Sequence, residues 1–66
     1  MIDYSPFWDT LHKSDETTYS LIKKHRISSA TIDKLRKNKP LNITTIVDLC
    51  RILNCKIEDI VLYRED

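Results

Sequence analysis

Glycine is absent from the 66 residues of this chain. Its absence disfavours both glycine-rich loops that cradle phosphates and the tight turns that join strands. Proline is confined to Pro6 and Pro40, and cysteine to Cys50 and Cys55. A secreted domain this short ordinarily carries more cysteines, as a disulfide framework. No apolar run approaches the ~20 residues of a membrane span. The start, Met1-Ile2-Asp3-Tyr4, is not the basic-then-apolar pattern of a signal peptide. Together these absences predict a cytoplasmic chain with no membrane partner. Its length suits a single domain over residues 1–66. Such a domain buries roughly 60% of its unfolded surface, which leaves little room for an enclosed active-site cavity.

The two cysteines lie in apolar stretches, as buried free thiols do. Their C-x4-C spacing touches the edge of zinc-ligand spacing. The only histidines, His12 and His25, are far apart and form no ligand pair. We therefore expect no metal and no cofactor.

Net charge is +1, but its distribution is uneven. Lys23, Lys24, Arg26, Lys34, Arg36, Lys37 and Lys39 crowd one stretch that holds a single acid, Asp33. The remainder has four bases against nine acids. Such a block is either a solvated helix face or a footprint for a polyanion. Its position relative to the helices decides which.

Alternating strand patterns are absent, and the periodicity predicts an all-α chain of five short helices. Ser5 and Pro6 read as N-cap and first helical residue, with Phe7, Trp8 and Leu11 forming an apolar face that ends near Lys13. Trp8 belongs under the bundle, with a dimer contact as the alternative. Thr17 caps a second helix, Thr18 to His25, which buries Leu21 and Ile22. The chain breaks at Arg26-Ile27, and Ser28 caps a third helix from Ser29 to about Lys37 with Ile32 and Leu35 inward. Pro40 prevents its continuation. Asn42 caps the strongest helix, whose Ile46, Leu49, Cys50 and Leu53 fall at i, i+3, i+4 and i+7. Asn54 suits the left-handed residue that ends it. Ile57, Ile60 and Val61 make a short fifth helix, and residues 63–66 read as a frayed tail.

From Thr17 to Lys39 two short helices flank a turn of three or four residues, as in a helix-turn-helix. The basic block covers the second helix and its flanks. Ser29, Ala30, Asp33, Lys34 and Lys37 fall on the face opposite Ile32 and Leu35. In such a motif the second helix enters the major groove and its N-terminal residues meet base edges.

The run TTYSLIKKHRISSATIDKLRKNK, followed by NITTIVDLCRILNCKIEDIV, resembles the Cro/phage-repressor helix-turn-helix family of transcriptional regulators over roughly residues 4 to 62. The resemblance implies a lambda-repressor-like fold, double-stranded DNA as partner, no small-molecule substrate and a possible homodimer. It implies base contacts from Ser29, Ala30 and Lys34. Lys suits guanine O6 and N7, Ser several bases, and the Ala methyl the thymine methyl. It implies DNA backbone contacts from Thr18, Ser28, Lys37, Asn38, Lys39, Asn42 and Thr45. The chain also departs from the family. Arg26 and Asn38 stand where glycine is frequent, so Arg26 or a neighbour must take a positive φ, and Asn38 tolerates one. Thr18 replaces the usual Gln, and Arg36 stands where an acid is frequent.

Two other functions compete. A protein-interaction module, such as an antitoxin or accessory subunit with weak DNA binding, fits the small size and the weak reader Ala30. An enzyme would need Cys50 as nucleophile with His12 or His25 as base, but Cys50 falls on the inward stripe of its helix. The sequence does not predict an enzyme.

Overall fold

The computed structural model describes residues 1–65. In chain order they form β1 (Ile2–Asp3), α1 (Ser5–Lys13), α2 (Thr18–Lys23), α3 (Ser29–Arg36), α4 (Ile43–Leu53), a one-turn 3₁₀ helix (Ile57–Asp59) and β2 (Leu62–Tyr63). The helices are those the periodicity predicts, and the fifth tightens to a single 3₁₀ turn. The predicted second and third helices end earlier, at Lys23 and Arg36, because each closes into a left-handed residue.

Each helix contributes the inward residues of its stripe. Phe7 and Leu11 from α1, Leu21 from α2, Ile32 and Leu35 from α3, and Ile46 and Leu49 from α4 meet in one cluster. Tyr4, Ile27 and Ile60, from the connections, complete it. Burying one such apolar side chain is worth about 1.5–3 kcal/mol against leaving it exposed. The 3₁₀ turn is fastened to α1 twice. Phe7 N–H donates to the Ile60 carbonyl at 3.1 Å, and Thr10 Oγ1 donates to the Asp59 carbonyl at 2.8 Å.

The fold differs from the sequence expectation at both ends of the chain. Ser5 is the first helical residue rather than the cap, and Asp3 Oδ1 accepts its N–H at 2.8 Å. The tail is not frayed where it is described. Tyr63 and Leu62 pair antiparallel with Ile2 and Asp3, and Arg64 N–H donates to the Met1 carbonyl at 2.9 Å. The Arg64 guanidinium also forms a close ion pair with Asp3. Asp66, at the end of the expected tail, lies outside the described residues. The two-residue pairing is too short to show as alternation, so the sequence pattern carries no trace of it. No helix among the described residues is long and apolar enough to cross a membrane.

Candidate nucleic-acid interface

The segment with the basic block is built from α2, its turn and α3. Thr17 caps α2 reciprocally with Ser20: Thr17 Oγ1 accepts Ser20 N–H at 3.1 Å, and Ser20 Oγ accepts Thr17 N–H at 2.8 Å. Ser20 Oγ then donates to Glu16 Oε1 at 2.7 Å, while Glu16 Oε2 lies 3.1 Å from His25 Nε2. One carboxylate thus ties the entry of α2 to the turn beyond its end. The Ser20 hydroxyl first, and His25 second, hold the Glu16 carboxyl below the usual carboxylate range.

The turn itself needs a left-handed residue. Arg26 takes φ 60°, and Ile27 N–H reaches back to the Leu21 carbonyl at 2.9 Å. This is the positive φ that the missing glycine requires. Ser28 then caps α3, its Oγ accepting Thr31 N–H at 3.1 Å. At the far end Asn38 takes φ 55°, and Lys39 N–H closes on the Lys34 carbonyl at 2.9 Å. That is a Schellman-type end with asparagine in place of glycine. Tyr4 brackets this loop from the N-terminal segment. Its N–H donates to Asn38 Oδ1 at 2.9 Å and its hydroxyl to the Lys39 carbonyl at 2.7 Å.

Ser29, Ala30, Asp33, Lys34 and Lys37 are all exposed, on the side of α3 away from the buried Ile32 and Leu35. Ser28, Lys39 and Asn42 are exposed, whereas Thr18, Asn38 and Thr45 are half-buried. Several expected ligand groups already have protein partners. The Ser28 hydroxyl caps α3, Asn38 Oδ1 accepts from Tyr4, and Lys37 Nζ lies 3.2 Å from Asp33 Oδ2. The Asn42 side chain makes no capping bond, although its backbone has N-cap geometry.

Sequence reasoning missed Tyr4, Glu16 with His25, and the Asp33–Lys37 pair. The first two join residues too distant for local periodicity to connect. The third has a local signal, opposite charges at i and i+4. Arg36, where the family often has an acid, instead holds its guanidinium 5.7 Å from the Trp8 ring centroid. Trp8 packs edge-on against Phe7 at 4.8 Å and is half-buried at the flank of the core rather than beneath it.

The cysteines are half-buried and free. Burial raises the Cys50 thiol pKa and pushes Cys55 up to about 11. Both are therefore protonated, poor nucleophiles at neutral pH. His25 is engaged with Glu16, and His12 is exposed on α1. Among the described residues no group of three or more His, Cys, Asp or Glu could hold a metal ion.

Comparison with known proteins places this geometry. The family model for the Cro/C1-type HTH DNA-binding domain matches residues 7–66. The fold is similar to the crystal structure of the transcriptional regulator VanUg (Form II), with a TM-score of 0.86 and 28% sequence identity over 98% of this chain and 87% of that one. No curated protein matches the chain.

Proposed function

The chain belongs to the Cro/C1-type helix-turn-helix DNA-binding family, and on that premise we propose that it is a transcription regulator that lays α3 in the major groove of double-stranded DNA. The observation that carries the reading is the face of α3. Its outward residues are small or cationic, with Asp33 the one acid, and its inward residues anchor it in the core. The turn before it is tied down by the Glu16–His25 contact and the Ile27 N–H bond to the Leu21 carbonyl, and the loop after it by the Tyr4 bracket. A helix held at both ends presents its side chains to a groove without further ordering, and less binding energy is lost on association. The match in fold to a transcriptional regulator favours the same reading.

In this reading Ser29, Ala30 and Lys34 meet base edges. Lys39 and the free Asn42 side chain meet phosphate, with Thr18, Ser28, Lys37, Asn38 and Thr45 as neighbours. Residues 1–66 act as one DNA-binding domain. Two copies occupy two-fold-related half-sites about one helical turn, ~34 Å, apart.

Paired substitutions test the assignment. Lys34→Ala costs about 1–3 kcal/mol at the preferred site and relaxes its sequence preference. Lys39→Ala weakens all sequences alike and lowers the salt slope by about one. Equal behaviour of the two in anisotropy titrations would confine Lys34 to phosphate. Sedimentation of a palindromic duplex with a single copy bound at saturation would remove the dimer.

A further inference from the structure

The groove-facing side of α3 carries one acid. Asp33 is the only carboxylate between Lys23 and Lys39, and its side chain is 55% exposed. It stands one helical turn after Ser29 and one before Lys37, on the outward face with Ala30 and Lys34. A carboxylate here repels phosphate whatever the DNA sequence, so it opposes non-specific binding. The local compensation is partial. Oδ2 pairs with Lys37 Nζ at 3.2 Å, while Oδ1 accepts no hydrogen bond from the described residues.

We propose that Asp33 is a specificity-determining residue, its free carboxylate oxygen accepting a hydrogen bond from a base that presents an exocyclic amino group in the major groove, cytosine N4 or adenine N6. The inference rests on the placement of α3 proposed above. The chemistry is selective because guanine offers two acceptors there and thymine an acceptor and a methyl group. Guanine O6 and N7 and thymine O4 repel the carboxylate, and the thymine methyl offers it no donor. Asp33 also pairs with Lys37 along the helix, which weakens without abolishing the pull of that lysine on phosphate. Ser29, Ala30 and Lys34 attract several sequences, and Asp33 supplies the repulsion that discrimination also needs.

The test compares wild-type protein, Asp33→Ala and Asp33→Asn in selection from a duplex library randomised over the site. Each variant is first checked by circular dichroism and thermal unfolding. Wild type enriches cytosine or adenine at one position per half-site, and which of the two identifies the amino group. Asp33→Ala loses enrichment at that position alone. It also binds non-cognate duplex several-fold tighter, with a salt slope steeper by up to about one as the pull of Lys37 on phosphate strengthens. Asp33→Asn shifts the position toward adenine, the base an amide reads through N6 and N7. An unchanged base profile in folded Asp33→Ala would overturn the assignment and leave Asp33 as a brace for Lys37. Absence of duplex binding by wild type would overturn the groove placement itself, an outcome separate from that one.

Discussion

At the scale of single residues, the chain's lack of glycine is met at three positions, Arg26, Asn38 and Asn54, with φ of 60°, 55° and 51°. Each follows a helix. Asparagine tolerates the left-handed region, whereas a long side chain such as Arg there costs on the order of 1–3 kcal/mol. Arg26→Gly relieves that strain and loses some of the gain to the freer unfolded chain. We expect it to raise stability by about 1 kcal/mol, or Tm by roughly 4–8 °C at this size. Asn38→Gly has little strain to relieve and removes the acceptor of Tyr4 N–H, so it lowers Tm or leaves it unchanged. Thermal unfolding followed by circular dichroism separates the two. A destabilised Arg26→Gly would contradict the strain assignment. All three positions were legible, because a helix end without glycine has few other ways to close. The Tyr4 bracket was not, since its partners lie 34 and 35 residues away and leave no periodic mark.

At the scale of elements, the apolar stripes located every helix, and the caps Thr17 and Ser28 fell where their side chains accept N3 N–H groups. The errors lie at ends decided by distant partners. Ser5 reads as the cap of α1 but is its first helical residue: Asp3 accepts the Ser5 N–H and also pairs with Arg64, beside the pairing of β1 with β2. The Arg64 side chain first, and Ser5 N–H second, hold the Asp3 carboxyl below the usual carboxylate range. A depressed folded pKa contributes stability in full above the unfolded value, about 3.9. The contribution is lost as pH falls through the folded value. Asp3→Asn therefore unfolds at a lower Tm than wild type at neutral pH, and the two curves converge below about pH 4. A constant gap across the acid range would show that the Asp3 charge adds nothing to its hydrogen bonds.

For the whole molecule, a net charge of +1 conceals a basic segment joined to an acidic remainder. The fold gives that division a direction. Ile32 and Leu35 turn inward, so the side of α3 with Lys34 and Lys37 turns outward, and Asn38 and Lys39 follow at its end. Family and helix-turn-helix were readable from the order of caps, stripes and turn. The candidate base and phosphate contacts came with the family resemblance; a distant partner such as Tyr4 for Asn38 was not readable, whereas the Asp33–Lys37 pair has a local i, i+4 signal. In the proposed function this outward side meets duplex DNA. That contact is tested most directly by fluorescence anisotropy of a random-sequence duplex titrated with the protein across a salt series. Docking of this side on DNA gives measurable binding at low salt and a linear fall of log affinity with log salt, steeper the more phosphates are neutralised. Absence of binding even at low salt, or affinity indifferent to salt, would contradict it.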